Sequence, residues 1–253
     1  MTIGRLYLIP TDLANGTVDA WAGAQLREAV KSLRHFVVEH PKTARQFLKS
    51  LGLPLPELQM EVLDEHSKPA DAVALARILE SGDLGLLSEA GCPAIADPGA
   101  MLVEQAHRIG ARVVPLVGPS SLVMALMASG LNGQRFAFNG YLPQRSPERE
   151  QAIQRVEERS RREGESQIFI EAPYRNDQLL AALLATCNPA TRLCLATDLT
   201  AEGEQVFTKS IGEWAKAVPK LDRRPTVFLL LAGAGPSATG ISANRRDRPR
   251  RTD

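Results

Sequence analysis

Three short stretches hold residue types that could do chemistry. The first is SEAGCPAIADPG, residues 88–99, where Gly91, Pro93 and Gly99 sit among two acids, Glu89 and Asp97. Glycine lets backbone approach a ligand closely, and the amides can then read an adenine or ribose edge. The structural alternative is a tight corner, with Asp97 capping the next helix and Pro98 opening it. For Asp97 the cap is the stronger reading; for residues 88–92 composition leaves both open. The second stretch, GPSS at 118–121, sets Ser120 and Ser121 ahead of an apolar helical run. Those hydroxyls either cap the helix or hydrogen-bond a ligand at its N-terminus. The third, IEAPYR at 170–175, places Glu171 and Arg175 at a strand end, as part of a site or as an ordinary surface ion pair.

Other chemistries find little support. His35, His40, His66 and His107 are scattered without HxxxH or CxxC spacing, and G-x-S-x-G is absent. Neither a metal centre nor a Ser/His/Asp site is expected. GAGPSA at 233–238 matches a dinucleotide fingerprint formally. It follows the last strand, however, and leaves no room for another strand or an acidic ribose partner. Cys92, Cys187 and Cys194 are spread singly, which reads as reduced thiols in a cytoplasmic protein. LYLI near the start is too short for a leader or a membrane span. Thirty basic against 29 acidic side chains give a net charge of +1, which argues against a general polycation but permits a local basic patch. The five arginines from Arg245 to Arg251 could touch phosphates.

The elements that must position these residues follow from hydrophobic spacing. RLYLIP (5–10), HFVVEH (35–40), LGLLSEAG (84–91) and RVVPL (112–116) predict buried strands. VDAWAGAQLREAVKSL, KTARQFLKSL, KPADAVALARILESG and AMLVEQAHRIG, which lie between them, have helical spacing. In the third of these, Ala72, Leu75, Ala76 and Leu79 form one stripe, with Ser67 as N-cap, Pro69 in the first turn and Gly82 as the stop. The alternation predicts a mostly parallel α/β sheet with right-handed crossovers. After the helix SSLVMALMASG, the second half offers strands FAFNGYL (136–142), SQIFIEAP (166–173), RLCLATDLT (192–200) and TVFLLLAG (226–233), with the charged helix SPEREQAIQRVEERSRREG among them. A boundary near Gly118–Pro119 divides the chain into α/β domains at 1–117 and 118–235. The remainder, 236–253, lacks apolar periodicity and is expected to be a disordered basic tail.

Taken in order, LYLIPT, SEAGCPAIADPG, RVVPLVGPSSLVMALMASGL, FNGYLP, IFIEAPYR, ATDLT and RPTVFLLL resemble the tetrapyrrole methylase superfamily. These are the class III S-adenosylmethionine-dependent methyltransferases. Within them the chain is most similar to the RsmI-type branch of 16S ribosomal RNA ribose 2′-O-methyltransferases, from Leu6 to about Ala232. The resemblance implies two α/β domains with the cofactor folded in the cleft between them, and a homodimer. It implies that Ser88, Glu89, Ala90, Gly91 and Ile95 line the cofactor. Ser120 and Ser121 would meet its methionine end. Glu171, Ala172, Leu199 and Thr226 would complete the pocket.

Three stretches depart from the branch. Its E-D-T-R reads Glu39-His40-Pro41-Lys42 here, its P-T-P-I-G-N reads Pro10-Thr11-Asp12-Leu13-Ala14-Asn15, and its R-E-L-T-K reads Thr197-Asp198-Leu199-Thr200-Ala201. These departures bear on the acceptor more than on the cofactor. A ribose hydroxyl is a poor nucleophile at neutral pH, so a base would help, and Glu39 and Glu171 are the candidates. Pro10, Thr11, Asn15, Lys42, Arg145 and Arg175 are the acceptor-side candidates. RNA or a ribosomal subunit is the expected partner, with neither metal nor membrane involved. The alternatives are methylation of a small molecule such as a tetrapyrrole, and a non-catalytic relative that keeps the cofactor pocket.

Overall fold

A computed structural model describes residues 3–96 and 99–233. Asp97, Pro98, the fingerprint-like stretch beyond Gly233, the tail 236–253 and the arginines from Arg245 to Arg251 lie outside the described residues, and so do the expectations attached to them.

The first half forms one five-stranded sheet of order β3-β2-β4-β1-β5. Its strands are β1 (Arg5–Ile9), β2 (His35–Val38), β3 (Gln59–Val62), β4 (Leu84–Leu87) and β5 (Arg112–Pro115), all parallel. Strand alternation sends side chains to two cores. Ile9, Phe36, Val38 and Leu87 pack with Val30, Phe47 and Leu48, from α2 (Ala24–Lys31) and α3 (Pro41–Ser50). Leu6, Val37, Leu84 and Leu86 pack on the other face with Ala72, Ala76 and Leu102, from α4 (Pro69–Ala76) and α5 (Ala100–Arg108). Burial on both faces explains why β1, β2 and β4 read as continuous apolar runs.

The second sheet has order β6-β7-β10-β8-β9. It comprises β6 (Phe136–Tyr141), β7 (Ser166–Ile170), β8 (Arg192–Thr197), β9 (Gln205–Ser210) and β10 (Thr226–Leu231). Phe169, Leu193, Leu195 and Phe228 face α7 (Glu148–Glu163) and α8 (Asn176–Thr186), whereas Ile168, Cys194, Val227 and Leu229 share a core with Ala125 and Leu126 of α6 (Ser121–Ser129). The α/β class holds in both halves; the mostly parallel expectation, drawn from the alternation in the first half, holds there, whereas this second sheet is mixed. Only β6 and β7 run parallel; β10 is antiparallel to both neighbours, and β8 and β9 form an antiparallel pair. The loop 198–204 is too short for the crossover that a parallel pair needs.

Local expectations also shift. The run VDAWAGAQLREAVKSL is not one helix: it breaks between α1 (Val18–Trp21) and α2, where Ala22 is extended and Gly23 caps α2. Ser67 does not cap α4. Its hydroxyl turns to Asp64 Oδ1 at 3.0 Å, and the cap position is Lys68, whose N–H donates to Asp71 Oδ2 at 2.7 Å. β3 and β9 were not foreseen, because both are edge strands whose exposed positions interrupt any apolar run.

Candidate functional site

The carboxyl ends of β1, β4 and β5 carry the loops 10–17, 88–96 and 116–120, and at this edge of a parallel sheet ligands bind. Two of the loops are stitched together. Thr11 N–H donates to Gly91 O at 2.9 Å and Gly91 N–H to Thr11 O at 3.2 Å, while Thr11 Oγ1 donates to Ser88 O at 3.3 Å. Gly91 has φ +78°, a left-handed conformation that glycine adopts freely. The third loop is fixed by contact: a Cβ on Gly118 would lie 2.3 Å from Pro10 Cβ. Cys92 Sγ also reaches Pro119 O at 3.3 Å, and burial pushes its thiol pKa up.

Two cavities flank this seam. The larger, about 370 Å³, is lined by Thr11, Asp12, Asn15, Thr43, Ser88 and Glu89 among others. The smaller, about 130 Å³, lies between the two sheets, with Ala90, Gly91, Cys92, Ile95, Ser120 and Ser121 on one wall and Tyr141 and Ile170 on the other. The candidate cofactor residues are thus divided: Ser88 and Glu89 face the larger cavity, while Ala90, Gly91, Ile95, Ser120 and Ser121 face the smaller.

Glu171 and Ala172 follow Ile170 at the end of β7. Leu199 and Thr226 line neither cavity. Leu199 is buried in the core behind α6, and Thr226 opens the central strand β10, with its hydroxyl donating to Arg224 O at 3.0 Å. Of the acceptor-side candidates, Thr11 and Asn15 line the larger cavity. Pro10 is buried against Gly118, and Lys42 and Arg145 are exposed outside both cavities.

Arg175 is not a free cation. Its Nε and Nη2 donate to Glu171 Oε1 at 2.9 and 2.6 Å, and that bond raises its pKa. Glu171 is buried and takes the Ala172 N–H at 2.7 Å on the same oxygen, so its charge is already committed. Glu39 differs. Burial raises its pKa, against a lowering hydrogen bond from the Glu89 N–H at 3.3 Å, and the Glu89 charge raises it further. Glu89 Oε1 itself accepts from Thr43 Oγ1.

Sequence reading missed most of the larger cavity. Thr43, Gln46, Phe47 and Ser50 reach it from one face of α3, at the helical spacing that signals a stripe. Asp12 was passed over too. Its Oδ1 accepts from Trp21 Nε1–H at 2.8 Å, and Trp21 stacks on Phe47 with ring centroids 6.2 Å apart, so the loop 10–17 is braced against α3. Asp12 and Glu89 bring negative charge to the walls, and among the described residues no basic side chain lines either cavity.

The smaller cavity fits one end of S-adenosylmethionine. Ser120 holds the N-cap position of α6, yet its hydroxyl does not cap the helix. First-turn N–H groups lack intrahelical partners and favour anions, so this corner suits the methionine carboxylate. At 130 Å³ the cavity falls below the ~300–1,000 Å³ usual for small molecules, so it has room for one end of the cofactor and not for the whole. Among the described residues, no three of His, Cys, Asp or Glu are grouped to hold a metal, and no helix is long and apolar enough to cross a membrane.

No family model matches the chain. It is similar to ribosomal RNA small subunit methyltransferase I of Pseudomonas aeruginosa, at 30% identity over 93% of this chain and 82% of the relative. The protein of that name from Escherichia coli O157:H7 is 30% identical over 84% of this chain and 72% of the relative. Among solved structures, the methyltransferase CobJ gives a TM-score of 0.61 at 18% identity, covering 91% of this chain and 95% of CobJ. Uroporphyrin-III C-methyltransferase from Thermus thermophilus, complexed with S-adenosyl homocysteine, gives 0.55 at 16% identity, covering 90% of this chain and 97% of that one. These two likenesses speak to the fold.

Proposed function

Because the chain belongs to the ribosomal RNA small subunit methyltransferase I family, we propose that it methylates a ribose 2′-hydroxyl of small-subunit ribosomal RNA, using S-adenosylmethionine. The observation that carries this reading is the similarity to a named ribosomal RNA methyltransferase over 93% of the chain. The corner where loop 88–96 meets the α6 N-terminus supports it.

When bound, the cofactor supplies an electrophilic methyl on its sulfonium. In this reading Ser120, Ser121 and the first turn of α6 take the carboxylate, and the backbone of Ala90 and Gly91 lies against the ligand. Ser88, Glu89, Ile95, Glu171, Ala172, Leu199 and Thr226 shape the surroundings. The larger cavity, with Thr11 and Asn15, receives the acceptor nucleotide and holds its hydroxyl in line with the methyl. Glu39 is the candidate base, because its raised pKa brings it nearer the operating pH than an ordinary glutamate. It lines neither cavity and stands behind Glu89, whose N–H it accepts at 3.3 Å, so the hydroxyl proton would have to reach it past that residue. Glu171 serves instead to hold Arg175.

The same reading keeps the two units at 1–117 and 118–235, each built around one sheet, and a cytoplasmic homodimer. Asp12, Asn15, Gln46 and Glu89 on the walls of the larger cavity can hydrogen-bond a nucleotide's hydroxyls, which favours this reading over a tetrapyrrole.

The test is methyl transfer from labelled cofactor to small-subunit RNA, intact subunits and extracted small molecules. Methylation of the 2′-hydroxyl removes the nucleophile of alkaline cleavage, so label should appear in alkali-resistant dinucleotides. Label in small molecules alone would overturn the reading, and cofactor binding without any transfer would point to a non-catalytic relative.

A further inference from the structure

We propose that Tyr174 and Tyr141 form a stacking platform for unpaired bases of the RNA, with Arg175 as the brace behind it. The proposal rests on the RNA reading above and adds the element that would grip the strand beside the acceptor site.

The chain has three tyrosines. Tyr7 is buried in the first sheet, whereas Tyr174 is 64% exposed and Tyr141 59% exposed. An exposed aromatic alone means little. These two, however, stand at the carboxyl ends of neighbouring strands, since Tyr141 pairs with Ile170 across β6 and β7, and Tyr174 follows β7 in the 3₁₀ turn Pro173–Arg175. Tyr141 and Ile170 also form the wall of the smaller cavity that faces Ser120 and Ser121. The tyrosines therefore mark the mouth of the site.

The brace is the second observation. Arg175 Cζ lies 4.9 Å from the Tyr174 ring centroid, and Nη1 donates to the Tyr174 hydroxyl at 2.8 Å. The guanidinium is held from behind by the buried Glu171, at 2.6 Å from Nη2. One face of the Tyr174 ring is thus backed by a fixed planar cation, while most of the side chain stays open to solvent. A ring held this way loses little freedom when a base stacks on it. Arg145 supplies the charge that a nucleic-acid strand would meet. It is exposed, has no ion-pair partner among the described residues, and follows Tyr141 by four residues, so chain reach keeps it within about 14 Å. Aromatic faces interleaved with cations are how single strands are held without reading sequence. Double-stranded RNA would not fit the same platform, because its bases are already stacked.

The test uses the full chain, a fluorescent single-stranded oligoribonucleotide, the same sequence as a duplex, and small ribosomal subunits for methyl transfer. Tyr174→Ala should weaken single-strand binding roughly 5- to 150-fold, the size of one lost base–aromatic stack. It should raise the KM for subunits while leaving S-adenosylmethionine affinity and duplex binding within about twofold. Tyr174→Phe keeps the ring and should restore single-strand binding to within about twofold of the parent. Unchanged single-strand affinity in Tyr174→Ala, or equal losses for single strand and duplex, would overturn the platform. So would a change in solution mass with RNA affinity intact, which would assign the tyrosines to a protein interface. If the parent protein transfers no methyl to subunits, the RNA reading itself fails. Transfer with an unchanged KM in Tyr174→Ala removes the platform alone.

Discussion

Substituting Gly118 by alanine should damage both folding and cofactor binding. The added Cβ would lie 2.3 Å from Pro10 Cβ, 2.5 Å from Pro10 Cγ and 3.0 Å from Trp21 Cζ3. None of these atoms is the far end of a flexible chain. Pro10 is a ring at the end of β1, and Trp21 is held by its bond to Asp12 and by the stack on Phe47. Relief must therefore come from the backbone of 116–120, which carries Ser120 and Ser121. Overpacking of this kind costs about 1–3 kcal/mol. For a chain of this size that is a fall in Tm of about 2–12 °C. Displacing the serines would remove at least one hydrogen bond to a charged group, about 1.5–3 kcal/mol, or roughly 10- to 150-fold in cofactor affinity. Scanning calorimetry and isothermal titration with S-adenosylmethionine read the two effects separately. Gly133→Ala is the control, since Gly133 is exposed in a loop and a Cβ there meets nothing within 4 Å, and it should change stability by less than about 0.5 kcal/mol. Should Gly118→Ala behave like Gly133→Ala in both assays, the idea that this loop is wedged under Pro10 is wrong.

Three further outcomes follow from individual side chains. Ser120→Ala combined with Ser121→Ala should weaken S-adenosylmethionine binding about tenfold or more with little change in Tm, because the Ser120 hydroxyl does not cap α6; an unchanged Kd would remove both serines from the site. Glu39 has a folded-state pKa raised chiefly by burial, so between its ordinary and raised pKa the native state holds more protons, and stability falls as pH rises through that window. Glu39→Gln should therefore be more stable than the parent at pH 7, with the gain vanishing below the ordinary glutamate range, and a gain independent of pH would contradict the burial argument. Glu157→Ala should cost about 1–3 kcal/mol for each donor it strands, since its Oε1 accepts from Asn188 N–H at 2.8 Å and from Thr191 Oγ1 in a buried setting; a loss under about 0.5 kcal/mol in urea unfolding would refute that.

The fold was most legible where side chains are buried on both faces. Leu84–Leu87 is apolar throughout and Thr226–Leu231 is apolar after its first residue, and both are central strands. It was least legible at the edges. Gln59–Val62 and Gln205–Ser210 pair on one side only, so solvent sets much of their composition. Strand direction in the second sheet was not readable from spacing, because β10 reaches its place between β7 and β8 through contacts distant in sequence. At the site, residues 88–96 and 118–121 drew notice through glycine, proline and serine content alone. The face of α3 that lines the larger cavity did not, because Thr43, Gln46 and Ser50 look like any solvated helix until Trp21 stacks on Phe47 beside them.

Two of the three departures from the branch pattern share a physical character. Where the pattern has proline at the third place of P-T-P-I-G-N, Asp12 accepts the Trp21 indole N–H. Where it has threonine in E-D-T-R, Pro41 opens α3 at a position whose N–H would be unpaired in any case. Where it has glutamate in R-E-L-T-K, Asp198 takes Arg224 Nε at 2.6 Å, and Arg224 Nη2 reaches Gly203 O at 2.6 Å, pinning the turn around Leu199. Two of the replacements, Asp12 and Asp198, take hydrogen bonds from Trp21 and Arg224 inside the chain. Arg224 and Arg175, cations that could have met a polyanion, are held by Asp198 and Glu171. Of the cations proposed for the acceptor side, only Lys42 and Arg145 remain uncommitted among the described residues. If those two are the cations that meet the RNA, the protein's affinity must draw more on stacking and shape. Its RNA affinity should then fall less steeply with salt than that of a protein with many phosphate contacts, where each contact adds about 0.9 to the slope on duplex DNA and about 0.7 on single strands. A log–log salt slope steeper than about −3 for single-stranded RNA would mean that cations outside this set carry the contact, and would break the argument from committed charges.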